Sequence, residues 1–217
     1  MKYRAVIFDL WQTLVPWPHE AAEIFYRSMA GTYGVPYERF REAWIGSHAQ
    51  RATGPIADNL RSVAATLSVE PDIDQLLEYR RGWTRAALVP RDDAVPTLEE
   101  LRRRGHRLGL ITVCSEDVEE VWDETPLAGL FDATVYSASA GVSKPDPRIY
   151  ELACERLGVG PADCLFVGDG ANDELPGAER VGMTAVQLRA PGEPLTPEGE
   201  AWTGASIERL ADVLSLA

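Results

Sequence analysis

A chain of 217 residues, 45% hydrophobic and 25% charged, is long enough for one core of ordinary size plus an inserted subdomain. Its formal net charge of −13 repels nucleic-acid phosphates and anionic lipid, so neither is an expected partner, and an anionic substrate needs a local cationic site. No apolar run approaches the ~20 residues of a membrane helix, and the apolar stretch at the N-terminus is too short for a secretory signal and is interrupted by Asp9. Three cysteines without metal spacing fit reduced thiols and a cytoplasmic protein, with Cys154 and Cys164 expected in the core.

Along the chain, Arg4 to Leu10 reads as a buried strand. From Glu20 to Leu88 the texture is helical. Ala21, Ile24, Phe25 and Met29 share one spacing, closed by Gly31 and Gly34; Pro36 then opens a helix lined by Phe40, Trp44 and Ile45. After the Gly54-Pro55 break, Ile56, Leu60, Val63 and Leu67 continue the pattern, and Pro71 opens a helix carrying Ile73, Leu76, Leu77 and Trp83. Beyond Pro90 strands alternate with helices: helix 94–104, strand 107–112, helix 116–123, strand 133–136, helix 147–157, strand 164–167, helix 174–181 and strand 184–188. Residues 192–199 read as a loop and 207–214 as a closing helix. Alternation of this kind predicts an α/β fold, a parallel Rossmann-like sheet with helices on both faces, interrupted early by an all-helical insert. The expected division is a core of residues 1–14 and 91–217 and a helical cap of residues 15–90.

In such folds ligands bind outside the carboxyl ends of the strands. Four polar features sit there or in a neighbouring loop: Asp9 after Val-Ile-Phe, Thr112 after Leu-Gly-Leu-Ile, Asp169 with Asp173 after Leu-Phe-Val-Gly, and Lys144 in Gly141-Val-Ser-Lys-Pro-Asp-Pro147. Carboxylates from separate strand ends repel unless a cation lies between them, and an oxygen-only donor set suits Mg²⁺. A lysine suits an anion.

Phe8-Asp-Leu-Trp-Gln-Thr-Leu14, Thr112, the Lys144 loop and Val167-Gly-Asp-Gly-Ala-Asn-Asp-Glu-Leu-Pro-Gly-Ala178, in that order, resemble the four motifs of the haloacid dehalogenase superfamily, over essentially the whole chain. The helical insert resembles that family's C1-type cap. The resemblance implies a hydrolase in which Asp9 is the nucleophile and forms an aspartyl-phosphate. It implies that Thr112 and the amide of Val113 hold phosphoryl oxygens and that Lys144 balances charge. Mg²⁺ would be bound by Asp9, Asp169, Asp173 and the carbonyl of Trp11. The substrate would be a small phosphorylated molecule, with specificity contributed by the cap; Trp17, His19, His48 and Arg51 are the candidates there, Arg51 foremost. Cys114 is placed to line the pocket or to pack, Ser115 to cap a helix, and His106 at the surface.

The sequence departs from the family pattern at Trp11, where the phosphatases carry a second aspartate that protonates the leaving group and then activates water. Indole has one weakly acidic N–H and no basic site. The glycine common at the next position is replaced by Gln12. Three readings follow: a Mg²⁺-dependent phosphatase or phosphotransferase lacking the usual proton shuttle, a 2-haloacid dehalogenase, in whose branch an aromatic residue stands at this place, or a non-catalytic binding protein. The acidic fourth motif favours the first, because without a metal Asp169 and Asp173 would repel a haloacid carboxylate.

Overall fold

The computed structural model describes residues 2–217. Strand β1 (Ala5–Phe8) is followed by five helices, α1 (His19–Tyr33), α2 (Tyr37–Gly46), α3 (His48–Ala52), α4 (Ile56–Leu67) and α5 (Ile73–Ala87). Then come α6 (Ala94–Arg103), β2 (Arg107–Thr112), α7 (Glu116–Glu120), β3 (Ala133–Tyr136), α8 (Ser137–Ala140), α9 (Pro147–Leu157) and β4 (Cys164–Gly168). Next come α10 (Glu174–Arg180), β5 (Thr184–Leu188), α11 (Pro197–Ala201) and β6 (Ser206–Ile207).

The strands form one parallel sheet in the order β3-β2-β1-β4-β5-β6. Parallel strands buried on both faces need unbroken apolar runs, and β1, Ala-Val-Ile-Phe, is buried at every position. Successive residues point to opposite faces, so Val6 and Phe8 join Leu98, Leu108 and Leu165 in one core, while Ala5 and Ile7 join Ile149, Tyr150 and Phe166 in the other. The strand order reverses between β1 and β4, which opens a crevice at their carboxyl ends.

Helices α1, α2, α4 and α5 close around a third core made of Phe25, Met29, Phe40, Trp44, Leu60, Val63 and Leu76. Full burial of each such side chain stabilises by roughly 1.5–3 kcal/mol. Ile24 and Ile45, expected on the apolar faces, are instead 66% and 53% exposed. Each lies one residue, about 100° around the helix, from a buried aromatic, Phe25 or Trp44, that sets the buried stripe.

Other local expectations are corrected at the C-terminal end. Residues 192–199 are not all loop: Thr196 accepts from the N–H of Gly199 at 3.2 Å, and Pro197 starts the short helix α11. Residues 207–214 do not form an α-helix. Ser206 and Ile207 add to the sheet edge beside Gln187 and Leu188, and a 3-10 turn, Leu210–Ser215, follows. His106 is not at the surface; it is buried, with Nδ1 3.0 Å from the carbonyl of Tyr3. No helix among the described residues is long and apolar enough to cross a membrane.

Candidate active site

Asp9 follows β1 directly, and its N–H continues the ladder to the carbonyl of Val167 at 2.9 Å. The pairing of Phe8 with Val167 on one side and with Leu110 on the other brings Asp9 level with the ends of β4 and β2, hence with Asp169 and Thr112. Asp9, Thr112, Lys144 and Asp169 are all buried. Lys144 Nζ donates to Asp9 Oδ1 at 2.5 Å and to the carbonyl of Ile111 at 3.2 Å. Its third partner is the carboxylate of Glu174.

Glu174 was not singled out by the sequence reading. Asp173 was, but its side chain is exposed. The reason lies in the backbone: Asn172 and Asp173 both take left-handed conformations (φ 57° and 52°), which turn Asp173 outward and deliver the next residue inward. Glu174 accepts from the N–H of Gly170 at 3.0 Å. A Cβ at Gly168 would lie 2.6 Å from the Glu174 carboxyl carbon, so the glycine makes room for this carboxylate.

Ligand atoms of Asp9, Asp169 and Glu174 lie within 4.8 Å of one another. Three carboxyl groups thus cluster at one ammonium, which bonds Asp9 and Glu174 but not Asp169. Burial disfavours the Lys144 ammonium, but Asp9 and then Glu174 outweigh that and hold its pKa above the ordinary lysine range. Burial, with the charge of Asp9 second, raises the Asp169 carboxyl to about 6. Asp169 Oδ2 and the hydroxyl of Thr112 are buried with no hydrogen-bond partner. Buried polar atoms without partners are costly, and these two face the chemistry a cation and a phosphoryl oxygen would satisfy.

Trp11 and Gln12 form a tight turn in which the N–H of Gln12 bonds the carbonyl of Val15 at 2.7 Å. Gln12 has φ 61°, a conformation glycine adopts freely and glutamine does not. Arg91 pins the turn: it donates to the carbonyls of Gln12 at 2.8 Å and Thr13 at 2.7 Å and makes a two-bond ion pair with Glu193.

Above the strand ends lies a cavity of about 290 Å³. From the sheet side it is lined by Trp11, Val113, Cys114, Ser115 and Asn172, and from the helical insert by Trp17, Trp44, His48, Arg51, Arg80 and Trp83. His19 lies apart, in a neighbouring cavity of about 260 Å³ that Trp17 and Arg51 also border. Burial pushes the Cys114 thiol well above its usual range, so it is no nucleophile at neutral pH. Burial, and Arg51 second, lowers the pKa of His48. Ser115 precedes α7, but its hydroxyl bonds Asp117 at 2.5 Å rather than the helix backbone.

Insert and sheet are clamped together. Arg80 of α5 donates to both oxygens of Asp117 at 3.1 and 2.9 Å, and Thr84 adds a further bond to the same carboxylate. Arg81 pairs with Glu120 and Arg85 with Glu124 along the same seam. Arg80 and Asp117 were invisible as a pair in sequence, being distant along the chain and in no motif.

The description haloacid dehalogenase-like hydrolase matches residues 3–182. The chain belongs to that family. This hydrolase is 33% identical to Phosphatase MT3486 of Mycobacterium tuberculosis over 202 residues, 89% of this chain and 90% of the relative. It is 34% identical to (S)-2-haloacid dehalogenase 4A of Burkholderia cepacia over 109 residues, half of this chain. The matches span about half the length of that dehalogenase (46%) and of a glyceraldehyde 3-phosphate phosphatase of Methanopyrus kandleri (45%). Among solved structures it resembles a HAD phosphatase from Thermococcus onnurineus, with 25% identity, a TM-score of 0.70 and coverage of 98% of this chain and 97% of the other.

Proposed function

We propose that this hydrolase is a Mg²⁺-dependent phosphatase or phosphotransferase acting on a small phosphorylated metabolite through an aspartyl-phosphate on Asp9. The observation that carries the reading is the charge imbalance at the strand ends: three buried carboxyl groups, one of them with an unpartnered oxygen, against a single ammonium. A divalent cation removes that imbalance and suits an all-oxygen donor set. Asp9, Asp169 and the Trp11 carbonyl would hold it, with Glu174 in the role first given to Asp173. When bound it supplies Lewis-acid stabilisation of charge on the phosphoryl oxygens.

The remaining chemistry belongs to the chain. A carboxylate oxygen of Asp9 bonds to phosphorus as the bond to the leaving oxygen breaks; water then attacks the same phosphorus and frees Asp9. Lys144 orients Asp9 and offsets its charge, and Glu174 orients Lys144. The Thr112 hydroxyl and the Val113 amide would hold phosphoryl oxygens. Residues 15–90 act as the cap that excludes water. Trp11 supplies no acid or base, so leaving groups that depart without a proton are favoured.

The second reading, a 2-haloacid dehalogenase, rests on the indole at position 11 and on the Burkholderia relative. Under it the acidic cluster would repel a haloacid carboxylate. A screen of phosphate monoesters with Mg²⁺, beside a halide-release assay on 2-haloacids, separates the two. Phosphate release without halide release supports the proposal; the reverse replaces it.

A further inference from the structure

The cavity above the strand ends is rich in donors and aromatic rings, and none of its lining residues is acidic. On a chain of net charge −13 such a place is an exception, and charges around a cleft select what enters. Its two guanidinium groups are not equivalent. Arg80 is neutralised by Asp117. Arg51 donates to the carbonyl of Trp44 at 2.5 Å and to the Ser47 hydroxyl at 3.3 Å, and its guanidinium sits 4.2 Å from the Trp44 ring centre. Among the described residues none of its bonds goes to a carboxylate. Burial, and then Arg80, depress its pKa to about 10, so it stays cationic at neutral pH, with Asp117 acting on it only at a distance and no carboxylate bonded to it.

Much of the rest of the wall is indole, with Trp11 and Trp83 near-parallel and Trp17 edge-on to both. Trp11, Trp17 and Trp83 pack together with ring centres 5.1, 5.7 and 6.5 Å apart. The cavity therefore presents one guanidinium that no carboxylate bonds, on an aromatic surface.

Resting on the phosphatase reading above, we propose that the leaving group of the substrate is a flat, apolar body carrying a carboxylate, and that Arg51 is the specificity-determining residue that binds this second anion. A single guanidinium that no carboxylate bonds matches a monoanion in both charge and forked shape, whereas a phosphate dianion would leave the cavity negative. Indole faces and edges pair with an aromatic body by offset stacking or edge-to-face contact.

The test uses the full-length chain and a pair of product mimics, 4-hydroxybenzoate and phenol, followed by quenching of the cavity tryptophans. The carboxylate should bind ~10–100-fold more tightly than phenol, the range expected for a charge-assisted bond. Arg51→Gln should erase the difference while melting within a few degrees of wild type. With Mg²⁺, 4-carboxyphenyl phosphate should exceed phenyl phosphate in kcat/KM by a similar factor, mostly through KM. Equal binding of the two mimics to wild type, or discrimination that survives in Arg51→Gln, overturns the assignment. If Arg51→Gln does not fold, the wild-type comparison still decides. Binding discrimination without turnover of either ester would support Arg51 as the carboxylate site and contradict the phosphatase reading; equal turnover of both esters with equal binding would do the opposite.

Discussion

Removing Arg80 tests how the helical insert is held on the sheet. Asp117 is 1% exposed, and Arg80 is its only cationic partner among the described residues. Burial alone would raise the Asp117 pKa, but Arg80, Ser115 and Thr84 reverse that and hold it below the ordinary aspartate value. In Arg80→Met the carboxylate loses its counter-charge and takes up a proton. Holding an aspartate neutral at pH 7 costs about 4 kcal/mol, since each unit above its free pKa of about 3.9 costs about 1.4 kcal/mol. That agrees with the ~3–5 kcal/mol typical of breaking a buried pair. For a chain of this size it corresponds to a fall in Tm of about 8–16 °C. At pH 5 the same cost is about 1.5 kcal/mol, so the deficit should shrink to about 3–6 °C. The wild-type contribution has the opposite dependence: with a depressed folded-state pKa it is full above about pH 4 and is lost as pH falls through the folded value. Thermal melts of wild type and Arg80→Met at pH 7 and pH 5 measure both. The double variant Arg80→Met/Asp117→Leu should recover most of the loss. A deficit below about 3 °C that does not change with pH would refute the reasoning.

Calorimetry should show Mg²⁺ binding weakened at least ~10-fold in Asp169→Asn, because a direct oxygen ligand loses its charge. Asp173→Asn should leave Mg²⁺ affinity within about twofold, while Glu174→Gln should weaken it or depress turnover by freeing Lys144. A larger effect at Asp173 than at Glu174 would contradict the geometry. Trp11→Asp should raise turnover of alkyl phosphates by up to the ~10²–10⁴ that a general acid-base supplies, and that of aryl phosphates much less. A folded Trp11→Asp protein no faster on alkyl phosphates, together with halide release by wild type, would move the assignment to a dehalogenase.

The sheet was legible because its strands are apolar runs ended by polar residues, and because Gly105, Gly158 and Gly182 punctuate the helices between them. The same rule, polar residues at strand ends, singled out Asp9, Thr112 and Asp169, which the structure buries side by side. In the fourth motif two successive left-handed residues leave Asp173 exposed and bury the next acid, Glu174; Gly168 before them was the available signal for that, since it leaves room for a side chain. Arg80 and Asp117 were not legible, because their meaning arises only when α5 docks on α7, and neither local pattern carries that contact. Ile207 read as helical from spacing, yet sheet extension beside Leu188 won, an instance of tertiary pairing overriding local periodicity.

The claim that Asp9 is a metal-assisted nucleophile is tested most directly by beryllofluoride, which mimics an aspartyl-phosphate. Isothermal titration of the wild type should show saturable binding that requires Mg²⁺, and Asp9→Asn, folded by thermal melt, should bind none and turn over no phosphate ester. Beryllofluoride binding that is unchanged in Asp9→Asn, or full activity of that variant, would contradict the account at its centre.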